Sequence, residues 1–327
     1  MSSVNERARP LGQGISQITL PLPFAAPRTV NSYLIESSDG LALIDCGVDT
    51  ADSRNTLLAG LTHLGYDPAS IDLLIVSHLH PDHVGMAPRL VEEFGMRVVM
   101  HERAAKVVDR YNDTPGFQER IQTLARRHGV PSGAYDAFVD VGPRPDWMPF
   151  LALPDFTVDE GDSIAVGSDR PLQVIFTPGH EPTHICLRDS RSGVLFAGDH
   201  ILPRITPFVG YDEDFPDVLG EFLDSLRKIE ELGILTTYPA HGDIVSHGSA
   251  RAEQILLHHQ RRLAGMRDVV APLGSSAWQV MEQVFRPNLS PMDQRLALRE
   301  TIAHLEHLQL NGRLQQVDEP DVVRYRR

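Results

Sequence analysis

The feature that most constrains this chain is Ser77-His78-Leu79-His80-Pro81-Asp82-His83, which puts four metal-ligand-type side chains within six positions. The short apolar run at residues 71–76 precedes it and a helical pattern follows Pro81, so it reads as the end of a buried strand, a loop and a helix start. Alternation along the extended part puts His78 and His80 on one side, and the turn at Pro81 brings Asp82 and His83 round to the same volume. A lone loop histidine is usually a surface group, whereas four donors at this spacing form a cluster able to serve two ions. Neutral imidazole suits borderline divalent ions such as zinc, and a carboxylate adds harder donor character and negative charge.

Three further donors follow at the ends of strand patterns: His180 in Thr177-Pro178-Gly179-His180, Asp199 in Ala197-Gly198-Asp199, and His241 in Pro239-Ala240-His241-Gly242. Loops beyond strand ends are where a rigid sheet presents ligating groups. Strand patterns at 14–22, 29–35, 41–44, 71–76, 97–100, 172–176, 185–187, 194–197 and 235–238 alternate with helical ones at 51–64, 87–94 and 218–232, which predicts an α/β layered domain over residues 1–249. Residues 102–154 break that rhythm. A helix at 115–128 and a Pro- and aromatic-rich stretch with Phe138, Trp147, Met148 and Phe150 read as a lid-like insertion. From 250 to 327 the pattern is helical at 252–270, 276–285 and 292–311, with Gly312 as a C-cap and a terminal hairpin: a winged-helix-like second domain.

Charge narrows the partners. The formal net charge is −14, and because residues 250–327 hold 11 basic against 9 acidic groups, the first 249 residues carry −16. That disfavours loose attraction to phosphate backbones or anionic lipid. Two cysteines, Cys46 and Cys186, rule out a disulfide framework or a thiolate cluster. No run approaches the ~18 apolar residues of a membrane span, and the polar N-terminal segment lacks the apolar stretch of a signal peptide, so a cytoplasmic location without a membrane partner is expected.

The motifs HxHxDH, TPGH, AGD and AHG, in this order and at these intervals, resemble the metallo-β-lactamase fold superfamily over roughly residues 14–249, with Leu43-Ile44-Asp45-Cys46-Gly47 matching an early strand-to-loop motif. The resemblance implies a four-layer αββα fold with a small, mainly helical, winged-helix-like C-terminal domain. It implies that His78, His80 and His180 bind one metal, that Asp82, His83 and His241 bind a second, that Asp199 bridges them, and that Asp45 orients a ligand imidazole from behind. Two divalent ions per chain are expected, zinc first, with iron or manganese also compatible with the shell. Gly198-Asp199 favours the binuclear hydrolases, including glyoxalase II-like enzymes and lactonases, over β-lactamases proper, where Cys commonly stands at the bridging position.

The implied activity is attack by a metal-bridging hydroxide on a small-molecule ester, thioester or lactone, with Asp82 and Asp199 at the reacting centre. His184 and His200 are further catalytic candidates, as a supporting group and a substrate-facing group. Phe138, Trp147, Met148, Phe150, Phe208 and Tyr211 are expected to line an apolar pocket, and Arg204 to meet an anionic substrate tail. The alternative is a metal-dependent endoribonuclease or other phosphodiesterase, for which Arg126-Arg127, Arg261-Arg262 and Arg324, Arg326 and Arg327 are local basic clusters; nucleic acid is a partner under that reading alone. Superfamily members often dimerise, which keeps a homodimer open, and nothing in the sequence marks an interface.

Overall fold

Short connections make the first strands antiparallel, and the longer ones after them carry helices and make the next strands parallel. In the computed structural model, which describes residues 7–327, strands β1 (Ala8–Gly12), β2 (Ile15–Pro21), β3 (Thr29–Glu36) and β4 (Leu41–Ile44) run antiparallel. The first six residues of the polar N-terminal segment lie outside the described residues. Helix α1 (Ala51–Leu64) then crosses over to β5 (Leu73–Ile75). Thr50 caps its start by accepting from Ser53 N, and Gly65, left-handed at φ 88°, ends it. Helices α2 (Pro81–Val84) and α3 (Ala87–Phe94) lead to β6 (Arg97–His101), and α4 (Ala104–Asn112), α5 (Thr114–Arg127) and α6 (Ser132–Val139) lead to β7 (Phe156–Val158). The seven strands form one sheet in chain order, its last three pairings parallel.

The second sheet has the order β12-β11-β10-β9-β8, from β8 (Ser163–Val166), β9 (Arg170–Phe176), β10 (Ile185–Asp189), β11 (Leu195–Gly198) and, after helix α7 (Val218–Glu231), β12 (Thr237–Pro239). Between the sheets lies a core in which Tyr33 meets Phe196 edge-on at 5.3 Å and stacks on Tyr238 at 5.5 Å. Leu57, Leu90 and Val107 bring α1, α3 and α4 onto the outer face of the first sheet, and Phe222 brings α7 onto the second. Helix, sheet, sheet, helix is the four-layer arrangement. One buried ion pair ties the sheets together: Arg170 on β9 donates to Asp189 at 2.6 Å, and to the carbonyls of Gly14 and Glu36 on the first sheet at 3.1 and 2.7 Å.

Helices α8 (Gly248–Val269), α9 (Ala277–Val284) and α10 (Pro291–Leu310) and the hairpin β13 (Gln315–Asp318) and β14 (Val323–Arg326) make up the C-terminal part. They share one core with α7 and with the insertion's Ile121 and Phe138. The insertion therefore differs from the expected single helix: it holds three, and Phe138 packs inside against Trp278, 6.0 Å between ring centres, instead of facing a pocket. Strands β1, β7 and β8 were also unexpected; each pairs at or near a sheet end, where little apolar patterning is required. Asn311, one residue before the expected Gly312, caps α10.

Two histidines in this shared core give a pH prediction. His304 Nδ1 donates to the Glu300 carbonyl at 2.7 Å, so its Nε2 accepts from His259 Nδ1 at 3.1 Å, and both rings are neutral. Burial pushes His259 down to about 2 and His304 to about 3. The unfolded chain takes up protons on both as pH falls below ~6.5 while the folded chain does not, so their stabilisation is full above that pH and is lost below it. The double variant His259→Phe/His304→Leu should lose stability less steeply between pH 6.5 and 5, by up to about 1.4 kcal/mol per pH unit for each proton removed. Urea unfolding across that range measures it, and an unchanged slope would contradict the pairing.

Candidate metal centre

Every ligand-type side chain of the motifs stands at the same end of the two sheets. His78 and His80 follow β5, Asp82 and His83 open α2, His180 follows β9, Asp199 follows β11 and His241 follows β12. Three groups of donor atoms lie within 4.8 Å of one another: His78, His80 and His180; Asp82, His83 and His241; and His78, His83 and Asp199. Asp199 spans the first two, with Oδ2 at 3.6 Å from His180 Nε2 and Oδ1 at 3.3 and 3.6 Å from His241 and His83 Nε2. Asp82 Oδ2 is 3.3 Å from His241 Nε2.

The far side of each ring decides which nitrogen faces inward. His180 Nδ1 donates to the Phe208 carbonyl at 2.6 Å and His241 Nδ1 to the Thr29 carbonyl at 2.7 Å, so each turns its Nε2 inward. His83 Nδ1 meets Asp45 Oδ2 at 2.7 Å. Ser77 Oγ donates to Asp45 at 2.8 Å, so it accepts from His78 Nδ1 at 3.0 Å, and His78 Nε2 also points inward. His80 Nδ1 then lies 3.0 Å from both His78 Nε2 and His180 Nε2. A proton on His80 Nδ1 can satisfy one of these two Nε2 lone pairs well, whereas a cation among the three nitrogens satisfies all of them. Buried His83 Nε2 and Asp199 Oδ1 lack a hydrogen-bond partner. The residues present therefore fit divalent ions.

Electrostatics divide the centre in two. Burial, reinforced by neighbouring imidazoles, pushes His78 well down and His80 to about 3, and burial lowers His180 as well, so this trio is neutral. Burial also opposes charge on His83 and His241, yet the carboxylates outweigh it and raise them to about 9 and about 11. Burial opposes the Asp199 charge too, but His241 and His83 hold it well below the carboxylate range. The acidic half thus draws in positive charge.

Asp45 is the hub behind this half. It adopts a left-handed φ of 57°, a conformation that Asp and Asn tolerate better than most residues. Its carboxylate accepts from Ser77 N at 2.7 Å as well as meeting Ser77 Oγ and His83. Asp45→Asn keeps the backbone and removes the charge, so metal affinity should fall ~10–100-fold. Chelator competition measures this, and unchanged affinity would remove Asp45 from the centre.

His184 donates through Nδ1 to Thr177 Oγ1 at 2.8 Å and accepts the Asp199 amide at 3.1 Å on Nε2, so it positions Asp199. Gly198 is required there: a Cβ would come within 2.6 Å of His184 Nε2. His200 differs from the substrate-facing reading. It is buried behind the centre, its ring 5.1 Å from Phe222, and burial lowers it to about 3.

A cavity of about 610 Å³ opens beside His80 and His180, with Tyr111, Ile121, Met148, Phe208 and Tyr211 among its walls. Trp147, Phe150 and Arg204 do not line it. Trp147 packs edge-on against Phe24 at 5.2 Å, Phe150 is 64% exposed, and the Arg204 guanidinium lies in solvent 3.5 Å from Asp243. Sequence reasoning missed Ser77, Thr177 and the carbonyls of Thr29 and Phe208; only Ser77, adjoining the motif, carried a signal.

The profile of the Metallo-beta-lactamase superfamily matches residues 25–241, which contain every donor of the centre. The chain belongs to this superfamily. A second profile, the metallo-beta-lactamase-like C-terminal domain, matches residues 263–327. Among superfamily relatives, a probable metallo-hydrolase YqjP of Bacillus subtilis is 24% identical over 307 residues, covering 91% of this chain and 92% of that protein. An atrochrysone carboxyl ACP thioesterase of Aspergillus fumigatus is 26% identical over 71% of this chain; the alignment spans 56% of that longer protein. A metallo-beta-lactamase family protein of Thermus thermophilus, TTHA1429, superposes with a TM-score of 0.83 at 28% identity, covering 97% of this chain and 100% of that one. Among the described residues, no helix is long and apolar enough to cross a membrane.

Proposed function

We propose that the chain is a binuclear metal-dependent hydrolase of a small-molecule ester, thioester or lactone. The observation that carries this reading is Asp199 reaching into two donor groups beside a largely apolar cavity. Two bound ions would supply a water acidified towards ~7 and a Lewis acid for the acyl oxygen. His78, His80 and His180 would hold one ion, Asp82, His83 and His241 the other. Asp199, fixed through its amide by His184, would face both ions and orient the attacking water. Phe208 places its carbonyl behind His180 and its ring against the cavity, so one residue positions both ligand and substrate. The name of the Aspergillus thioesterase supports an acyl substrate.

Of the seven arginines in the clusters that would favour a nuclease, at least four have side-chain partners: Arg126 with Tyr135, Arg262 with Glu300, Arg324 with Glu319, and Arg326 with Gln315. The test is elemental analysis of purified protein followed by thioester, lactone, phosphodiester and RNA substrates on one metal-loaded preparation. About two metals per chain with carbonyl hydrolysis is the expected result. RNA cleavage without carbonyl hydrolysis, or no metal under any loading, overturns the reading.

A further inference from the structure

In a chain of formal charge −14, five arginines line the one cavity described beside the centre: Arg110, Arg120, Arg127, Arg144 and Arg299. Asp212 and Asp214 hold Arg110, and Asp113 holds Arg120. Among the described residues Arg144 meets no carboxylate, but its three nitrogens each donate to a carbonyl, of Met148, Tyr111 and Pro149. Arg299 is different. Its Nε and Nη2 both donate to the Tyr211 carbonyl, at 3.2 and 3.0 Å, while its guanidinium lies 5.6 Å from the Phe208 ring centre. Among the described residues no carboxylate stands within ion-pair distance of it, and none accepts a hydrogen bond from Nη1. Burial lowers its pKa, with Arg110 acting the same way and Asp212, on the same cavity wall, acting against them.

We infer that Arg299, on α10 of the C-terminal part, recognises an anion in this cavity, and that the substrate carries an oxyanion, carboxylate or phosphate, on an apolar body. A planar guanidinium with free N–H donors and one wall already stacked is built for such a group. The Tyr211 amide also donates to the Arg299 carbonyl at 3.0 Å, so α10 and the loop bearing Phe208 are bound to each other, placing the anion site on the approach to His180. Arg204, singled out in the sequence for this role, lies outside the cavity. The word substrate rests on the hydrolase reading; the anion site does not.

The test therefore begins with binding. Calorimetry on metal-loaded protein compares hexane-1-sulfonate, a poor metal ligand, with hexan-1-ol. The wild type should prefer the sulfonate by about tenfold, a charge-assisted hydrogen bond's worth, and Arg299→Gln should erase that preference with hexanol affinity and metal content unchanged. No preference in the wild type, or a full preference in Arg299→Gln, overturns the inference. Should Arg299→Gln also lose hexanol, Arg299→Lys decides: a retained preference supports anion recognition, and a lost one leaves only a loop anchor. Hydrolysis of a neutral thioester, a succinyl thioester and a phosphopantetheine thioester then distinguishes the sources. A KM rise in Arg299→Gln confined to the succinyl compound assigns the carboxylate, one confined to the phosphopantetheine compound assigns the phosphate, and none for either overturns the substrate claim. Sulfonate binding through Arg299 with no hydrolysis of any of the three refutes the hydrolase reading and leaves the anion site standing.

Discussion

Asp199→Asn should leave the fold intact and abolish turnover, with kcat/KM falling well beyond the ~10–100-fold that loss of an outer partner costs. The substitution preserves shape and removes the one carboxylate whose oxygens face both donor groups. It also withdraws negative charge from His83 and His241, so the acidic half loses attraction for a cation. Under the proposed binuclear reading, metal content should drop from about two per chain to one or fewer. Elemental analysis and thioester kinetics on the same preparation check both effects, and full activity with two ions would remove Asp199 from the centre.

Arg170→Met should cost about 3–5 kcal/mol, because the Asp189 carboxylate would stay buried without its counter-charge. The carbonyls of Gly14 and Glu36 lose a donor at the same time. Urea unfolding should show a lower midpoint at an unchanged slope. The pair change Arg170→Met/Asp189→Leu should recover much of the loss, since replacing both partners leaves no unpaired charge. A loss under ~1 kcal/mol in the single variant would mean that water reaches the pair.

The donors were legible because chemistry concentrates them: four lie in six residues, and the other three end strands marked by Pro, Gly and apolar runs. Strand and helix alternation likewise showed the layers, since parallel pairing demands helical crossovers. The insertion was less legible. Its short helices α4 and α6 bury few residues each, so little periodicity marks them. The cavity was misread for a related reason. Trp147 and Phe150 have the composition of a pocket wall, but packing against Phe24 and exposure to solvent were decided by the path of the chain. Arg299 carried no signal at all, being one arginine among 11 in a helical tail, brought to the site only by the docking of α10.

The two sheets divide the donors between them: His78, His80, Asp82 and His83 come from the first, and His180, Asp199 and His241 from the second. Neither complement by itself holds all the donors of the proposed binuclear centre. His241 is moreover steadied by a carbonyl of the opposite sheet, at Thr29, and Asn31 beside it donates to Pro239 and Gly242. Ion binding at the full donor set would therefore require the two sheets to have mated, since a chain whose halves stand apart has no complete receptacle to fill.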